Sequence, residues 1–405
     1  MVPPPFLKKL SAWLAIAAAV SILVSIAASQ ILLALAMAVL LLSGLPMRWP
    51  RIAIPLGLFL VWTLLSLAFS PDPAGGLTQV RKMIVFLTML TVFSSVRTLR
   101  DIGILVIAWA GVGTYTAIVG LSQYVHKRME AAALHRDFYH FYLPRRITGL
   151  QDHWMTFSGQ QLYLMLMLLA FLLFGPVTKK RAWPAALCAA LICTALYLSW
   201  TRMAMFAALI AGMCLLWWWR RWAVAAVPVL LMAVILISPA SLRERVYSSF
   251  HPEPNTDSNQ HRFIVWQTGW EMIKAHPLLG VGPEEITKDP VFLSYMPKAI
   301  ARPLPPGDYK HLHSIYIQYA AERGIPAALF LTGALVMALF DFQKALRRLP
   351  PGRSELRFLL YWASSAVIGT MIVGISDVNL GLTDELTMFL VVMCLGYTAV
   401  ERIST

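Results

Sequence analysis

A histidine stands where a polar stretch gives way to a long apolar run, in the sequence His311-Leu-His313-Ser314. If a helix begins there, the positive end of its dipole disfavours the charged imidazole of His313, and a neutral imidazole can accept a proton as a general base. Ser314 suits the N-cap of such a helix. The alternative is a polar histidine at the edge of the run with no chemical role. A metal site is not predicted, because the two rings diverge at a helix start and neither Asp-x-Asp nor His-Glu-x-x-His occurs.

Arginines in the polar segments are placed where they would suit a phosphorylated substrate. Arg202 stands in Ser199-Trp-Thr-Arg202, a turn of a few residues between two apolar runs, and Arg262 opens a short amphipathic pattern. A guanidinium group matches phosphate oxygens with two parallel hydrogen bonds. The alternative is that such cations bind anionic lipid headgroups or solvate a surface. The further candidates for substrate binding are Arg81, Lys82, Arg145, Arg146, Gln151 and His153.

The composition indicates what positions these side chains. Of the 405 residues, 58% are hydrophobic and 13% are charged, and apolar runs long enough to cross a bilayer recur along the chain. Backbone groups inside a bilayer must bond within their own segment, so we predict an all-α polytopic membrane protein with one integral domain over 1–405. The twelve predicted spans are 12–28, 31–45, 52–69, 83–96, 103–125, 157–176, 183–200, 203–219, 222–239, 314–340, 357–376 and 386–401.

The basic residues predict the orientation of these spans. An even number of spans puts both termini on one side, and the short loops of that side hold basic pairs such as Lys8–Lys9 and Arg220–Arg221. Positive charge in short loops marks the cytoplasmic side, so we expect both termini in the cytoplasm. The two long segments, 126–156 and 240–313, are then periplasmic loops.

A helix is predicted within the larger loop. Phe263, Trp266, Trp270 and Ile273 follow a 3-4-3 spacing, which places one apolar stripe on a short helix that ends near Pro277. Long loops without structure are uncommon unless they are functional. We therefore expect this loop to fold back and cap the site.

Other reactive residues receive structural interpretations. Glu322 lies nine residues after His313, about 900° of helical rotation, so it is expected to face away from His313 and to pair with Arg323 inside the bundle. The four cysteines lie in apolar runs, as small buried hydrophobes do, and predict neither disulfides nor a metal site. No Gly-x-Ser-x-Gly pattern predicts a serine nucleophile.

Three short motifs resemble the O-antigen ligase family, within the superfamily that includes O-antigen polymerases and bacterial O-oligosaccharyltransferases. The motifs identify this superfamily better than its individual member, and the arrangement of about twelve spans with a late outer loop extends the resemblance over nearly the whole chain. The three motifs are Ser199-Trp-Thr-Arg202, then Arg262-x-x-x-Trp266 leading to Pro277-Leu-Leu-Gly-Val-Gly282, and His313-Ser-Ile-Tyr-Ile317 followed by Glu322-x-Gly324.

The resemblance implies a glycosyltransferase of the bacterial inner membrane with a periplasmic active site. The donor would be an O-antigen glycan on undecaprenyl diphosphate and the acceptor a sugar hydroxyl of lipid A core. His313 would be the general base, and Arg202 and Arg262, helped by Arg145 and Arg146, would hold the diphosphate. The transfer would invert the anomeric centre and need no metal, cofactor or nucleotide. The implied partners are these lipids and the surrounding membrane, with no nucleic acid. Asp377 and Asn379 either touch the acceptor sugar or bond neighbouring loops.

Three other functions stay open at this stage. An O-antigen polymerase would use the same donor with another lipid-linked glycan as acceptor. A protein O-oligosaccharyltransferase is less expected, since those enzymes often carry a long soluble region after the last span, whereas Thr405 follows soon after this one. A lipid-linked glycan flippase would place ionisable residues near the midplane of its spans, and these spans hold almost none apart from Glu322 and Arg323.

Overall fold

The computed structural model describes residues 5–238, 240–247, 259–300, 302–305, 307 and 309–404. Within these residues the chain forms eighteen α-helices, a few 3-10 turns and no β-strand, which confirms the predicted fold class. The helices are α1 Pro5–Ser21, α2 Ile26–Leu42, α3 Ala53–Ala68, α4 Pro73–Lys82, α5 Leu87–Ser95, α6 Leu99–Ala133, α7 Phe138–Tyr142, α8 Trp154–Phe174, α9 Lys179–Leu198, α10 Arg202–Trp219, α11 Ala226–Ile237, α12 Ala240–Tyr247, α13 Asn259–Ala275, α14 Asp289–Tyr295, α15 Ile315–Arg323, α16 Ile325–Leu346, α17 Glu355–Val373 and α18 Thr383–Ser404.

Eight helical segments in the described part of the chain are long and apolar enough to cross a membrane by length and composition. They are the continuous segment Pro73–Ser95, which contains α4 and α5, and helices α6, α8, α9, α10, α16, α17 and α18. Helices α1, α2 and α3 and the segment Arg221–Ile237 also occupy predicted spans, but they have only 16 or 17 residues each. The chain is therefore a polytopic helical membrane protein, with a helix at each predicted span.

Helices α8, α17 and α18 form the centre of the bundle. In their most apolar stretches 78%, 72% and 72% of the residues are buried, against 22% in α9 at the periphery. Polar side chains pair between the central helices, as expected where no water competes. The Tyr163 hydroxyl lies 2.7 Å from the Thr370 hydroxyl, and the indole N–H of Trp362 donates to the Tyr163 carbonyl at 3.2 Å.

The segment predicted as a loop over 126–156 is helical at both ends. Helix α6 continues to Ala133 and α8 begins at Trp154, so the connection between them is shorter than predicted and contains α7. With 35 residues, α6 is about 52 Å long, well beyond the ~30 Å of a bilayer's hydrocarbon core. The hydrophobic pattern did not mark its end, because the helix continues into polar sequence.

The larger segment, 240–313, holds α12, α13 and α14; residues 248–258 within it lie outside the described residues. The predicted apolar stripe lies on α13 but is only partly buried, with Ile273 7% exposed. Phe263 and Trp270 are 62% and 58% exposed, whereas Val265 and Met272 are buried against α15. A Cβ added at Gly269 would lie 2.6 Å from a side chain of α15. The close contact between the two helices therefore depends on a residue without a side chain.

The predicted tenth span, 314–340, is two helices in the structure. Gly324, with φ +86° and ψ 164°, separates α15 from α16. This backbone conformation is nearly restricted to glycine. A Cβ at Gly324 would also lie 1.8 Å from the Leu278 carbonyl oxygen. The break was not predicted because the partner that requires it lies 46 residues earlier in the chain.

A loop over Pro277–Gly282, here called the clamp loop, fixes this break. The N–H groups of its last two residues donate to the carbonyls of Ala321 and the following residue, both at 2.9 Å. The Ile325 N–H donates back to the first carbonyl of the loop at 2.8 Å. From α3, the side chains of Trp62 and Ser66 donate to two more of its carbonyls at 3.0 and 2.6 Å. One motif of the sequence thus holds the C-terminal end of α15.

Candidate active site

The turns at one face of the bundle enclose a cavity of about 450 Å³, and we call this face the site face. The lining comes from the end of α4, the starts of α8, α10, α13 and α18, the loop before α15 together with α15 itself, and the turn after α17. These segments are far apart in sequence. They meet because the helices that carry them all end or begin at the same face.

His313 lies in the cavity wall just before α15, and not in its first turn as predicted. Its φ is +46°, a left-handed conformation that is uncommon for residues other than glycine. Ser314 is the N-cap, and its hydroxyl accepts a hydrogen bond from the Ile317 N–H. The Gln318 side-chain oxygen accepts the Leu312 N–H at 2.7 Å. Bonds on both sides of the histidine therefore hold the turn that carries it.

A second histidine lies against the first. The rings of His261 and His313 meet edge to face, with centroids 4.9 Å apart, and both line the cavity. His261 is 5% exposed and precedes Arg262 in α13. Its adjacency to a candidate arginine was the available sequence signal, and it was missed.

Arg202 and Arg262 line the same cavity, as the sequence predicts for a shared role. Arg202 is the first residue of α10, and Arg262 is in the first turn of α13. Desolvation lowers the pKa of Arg262; the nearby Asp377 carboxylate opposes this effect and the Arg202 guanidinium adds to it. Because arginine stays charged at physiological pH, the pair concentrates positive charge in a partly buried wall. The Arg262 Nε–H has no hydrogen-bond partner among the described residues.

Asp377 and Asn379 lie in the turn after α17 and differ in role. Asp377 lines the cavity, where burial raises its pKa to about 6 against the lowering effects of the Val378 N–H and Arg262. Asn379 instead bonds to α17 and to its own turn: its amide N–H donates to the Thr370 carbonyl, and its amide oxygen accepts the next residue's N–H. Asp377 is therefore available to a substrate, and Asn379 stabilises the turn.

Arg146 and His153 both line the cavity and both contact Trp154. The Arg146 guanidinium lies 4.2 Å from the ring centre of Trp154, and the His153 ring lies 4.0 Å from it. The Nδ1 of His153 accepts the Met155 N–H at 3.2 Å, which leaves its ring proton on Nε2. Desolvation and, next, the Arg146 charge lower the pKa of His153. A neutral imidazole and a fixed cation thus border the cavity here.

The remaining predicted substrate contacts divide into one that lines the cavity and three that do not. Lys82 lines it from the end of α4. Arg145 pairs with Glu130 at 3.4 Å at the exposed end of α6. The Gln151 amide donates to the Leu23 carbonyl at 2.8 Å, and Arg81 is exposed outside the lining. A side chain next to a cavity-lining residue in the sequence can therefore point away from the cavity.

The expected orientation of Glu322 is wrong. Glu322 and His313 both line the cavity, because His313 precedes the helix and the count of helical rotation does not apply to it. The expected pairing with Arg323 is loose, at 3.9 Å between Nη2 and Oε2. Sequence reasoning also missed lining residues that it had no reason to place at this face: Gln79, Gln318, Tyr319 and Glu385.

Residues 186–332 match a family model described as O-antigen ligase. No curated protein matches the chain. The matched range contains Arg202, Arg262 and His313, the clamp loop and the glycine that separates α15 from α16. The match and the helical membrane architecture support an enzyme of the O-antigen ligase or polymerase type. The match over residues 186–332 therefore supports the O-antigen ligase family, as the resemblance of the motifs indicated.

Proposed function

We propose that the protein transfers an O-antigen glycan from undecaprenyl diphosphate to a sugar hydroxyl of lipid A core, at the periplasmic face of the bacterial inner membrane. The observation that carries the proposal is that two arginines and a histidine from three separate segments line one cavity: Arg202, Arg262 and His313. Paired guanidinium groups suit a diphosphate. A base beside them suits the activation of a hydroxyl.

The reaction would proceed in one displacement. The acceptor oxygen forms a bond to the anomeric carbon of the donor while the bond from that carbon to the diphosphate oxygen breaks. His313 takes the proton of the acceptor hydroxyl, and Arg202 and Arg262 stabilise the charge that develops on the departing undecaprenyl diphosphate. Attack from the side opposite the diphosphate inverts the anomeric centre. The arginines supply the positive charge, so the reaction is expected to proceed without a metal ion.

An apolar crevice beside the cavity supports a polyprenyl donor. Its lining combines membrane-helix side chains such as Leu56, Phe59 and Phe389 with Lys82 and Tyr319, which also line the cavity. The two spaces adjoin, as a ligand with a charged head and an apolar tail would require, and the crevice, at about 30 Å³, would have to widen to hold the tail. Arg146 and Lys82 extend the cationic wall in this proposal, whereas the roles of Arg81, Arg145 and Gln151 stay predictions.

The basic residues support the proposed orientation. The short connections opposite the site face hold the basic pairs that mark a cytoplasmic side, among them Arg220–Arg221, which stack on Trp219 and Trp217. The site face then lies in the periplasm, where both lipid substrates would present their glycans.

Purified protein in nanodiscs with EDTA provides the test. Undecaprenyl-diphosphate-linked O-antigen and lipid A core are supplied, and glycan transfer is measured for wild type, His313→Ala and a matched histidine control, His276→Ala. His276 lies outside the cavity and bonds Tyr295 at 2.7 Å. We expect transfer in wild type and His276→Ala, and a loss of about a hundredfold or more in His313→Ala.

Other results would change the assignment in defined ways. Elongation of the lipid-linked glycan without modification of lipid A core would indicate a polymerase with the same site. Near-wild-type transfer by a folded His313→Ala would contradict the base. Movement of the lipid-linked glycan across the bilayer without transfer would indicate a flippase.

A further inference from the structure

Carboxyl groups line part of the same cavity, and the proposed chemistry uses none of them directly. The clearest is Glu385, the third residue of α18, which is 1% exposed and faces the cavity. Its Oε1 is buried and has no hydrogen-bond partner among the described residues. A buried carboxyl oxygen without a partner is costly, typically by about 1–3 kcal/mol, so a partner that arrives with a ligand would remove that cost.

Two further acidic residues, Asp377 and Asp384, lie near Glu385. A glycine on α8 makes room for it: a Cβ added at Gly159 would lie 2.3–2.4 Å from all three carboxyl atoms of Glu385. The side chain is therefore held against the backbone of α8, at the start of that helix, where both residues line the cavity.

The lining thus carries two chemically different kinds of group. Arg146, Arg202 and Arg262 are cationic, which suits phosphate, whereas a carboxyl group does not. Hydroxyl groups suit a carboxyl group, because its oxygens can accept hydrogen bonds from them. A substrate that joins a sugar to a diphosphate needs both kinds of surface.

We propose that Glu385 is the centre of a sugar subsite, where its carboxyl group accepts hydrogen bonds from two neighbouring hydroxyls of a pyranose ring. The proposal rests on the proposed function, because it places this ring next to the diphosphate subsite. The ring belongs either to the first sugar of the donor or to the acceptor sugar. A site built to bind a hydroxyl rejects an analogue that lacks it, so Glu385 would contribute to the choice of glycan.

The test measures binding, so it does not depend on transfer. Wild type, Glu385→Gln and Gly159→Ala in nanodiscs are titrated with undecaprenyl diphosphate, with the same lipid carrying one N-acetylhexosamine, and with lipid A core or lipid A alone. Asp384→Asn is the matched control: it removes an adjacent acid that lies outside the lining. We expect sugar-dependent affinity to fall about tenfold in Glu385→Gln and in Gly159→Ala, whose added methyl displaces the carboxyl, and to persist in Asp384→Asn.

Each ligand pair assigns the ring to one substrate. A loss confined to the sugar-bearing polyprenyl diphosphate places the donor sugar at Glu385, and a loss confined to lipid A core places the acceptor there. Equal affinities of wild type and Glu385→Gln for both glycolipids would overturn the subsite. So would a wild type that binds neither glycolipid more tightly than its sugarless counterpart.

Deoxy analogues keep the subsite testable if Glu385→Gln does not fold. Wild type is titrated with monodeoxy forms of the sugar-bearing ligands, and removal of one of two adjacent hydroxyls is expected to weaken binding about tenfold. A complete deoxy series that binds as tightly as the parent would overturn the subsite. Loss of transfer in His313→Ala tests the chemistry alone, so either claim can fail while the other stands.

Discussion

The two ends of α15 are held in different ways. At its C-terminal end, backbone bonds to the clamp loop and a glycine in a conformation closed to other residues fix the chain. At its N-terminal end, Gln318 bonds the Leu312 N–H, and the Ile315 N–H donates to the Gly374 carbonyl at 2.9 Å. The first end is fixed mainly by backbone, whereas the end that carries His313 depends on single side chains and one carbonyl of another turn.

This difference separates stability from chemistry within one short helix. Substitutions at the C-terminal end should act on folding, since backbone contacts cannot adjust to an added side chain. Substitutions at the N-terminal end should act on the position of His313 with a smaller effect on folding. Each prediction below tests that separation.

The largest effect is expected at the C-terminal end, from Gly324→Ala. The new Cβ would lie 1.8 Å from the Leu278 carbonyl oxygen, in a backbone conformation nearly closed to alanine. We expect almost no folded protein, measured by size-exclusion chromatography after detergent extraction. The control is Gly333→Ala in the next helix, where a Cβ meets no atom within 4 Å and stability should stay the same or rise by ~1 kcal/mol. A normal amount of folded Gly324→Ala protein would show instead that the clamp loop can move to accommodate the added Cβ.

Next in size is Gln318→Leu at the N-terminal end. Loss of its oxygen leaves the Leu312 N–H without its acceptor and frees the turn before the helix. We therefore expect kcat to fall up to about a hundredfold, with little change in the KM for the donor or for the acceptor. Gln343→Leu removes a comparable bond, to Ser364 at 3.0 Å, away from the cavity. It should lose similar stability, about 1–3 kcal/mol, and keep its kcat. Equal kinetics of the two variants would show that Gln318 is only structural.

A smaller effect is expected from Asp377, in the turn after α17 that meets the N-terminal end of α15. With a pKa of about 6, its carboxyl group is ionised at pH 7.5 and partly offsets Arg262; it becomes neutral as the pH falls through 6. The affinity for undecaprenyl diphosphate should therefore rise several-fold between pH 7.5 and 5.5. Asp377→Asn should bind more tightly at pH 7.5 and show a smaller rise.

The control for this titration is Asp341→Asn, which removes a carboxylate that pairs with Arg51 away from the cavity. It should keep the wild-type pH dependence. Weaker binding of Asp377→Asn than of wild type at pH 7.5 would show instead that Asp377 holds Arg262 in its binding position.

The smallest effect is expected from Trp62→Phe, which removes one side-chain bond to the clamp loop. The lost bond to the Leu278 carbonyl, 3.0 Å long, should cost ~1 kcal/mol of stability and leave kcat unchanged. Thermal unfolding in detergent and the transfer assay measure the two quantities. A change in kcat without a change in stability would mean that the two ends of α15 are coupled.

The sequence predicted well what depends on local composition. Apolar runs placed the membrane helices, because the requirement to bury apolar side chains and bond the backbone acts within each run. The shared cavity of Arg202, Arg262 and His313 followed from motifs. The break at Gly324 did not follow, since the Leu278 carbonyl that requires a glycine there is remote in sequence. The left-handed turn at His313 did not follow either.

Orientation was the second source of error. The stripe predicted on α13 did not show which of its residues pack inward: Ile273 is buried, Trp270 stays exposed, and Gly269 permits the closest contact. Glu385 was not predicted as a site residue, because an acidic residue at the start of an apolar run is equally typical of a membrane boundary. The cavity lining shows that Glu385 faces the cavity, and the glycine on α8 shows that its carboxyl group lies against that helix.

The scattered origin of the cavity wall has a consequence for biosynthesis. Arg262 is made 123 residues before Glu385, an interval of roughly 6–25 s at about 5–20 residues per second. During that interval a nascent chain contains the arginines of the cavity wall but lacks the turn after α17 and the start of α18. The proposed diphosphate-binding residues are thus made before the proposed sugar subsite, and the cavity lining is complete only when the last helix has been synthesised.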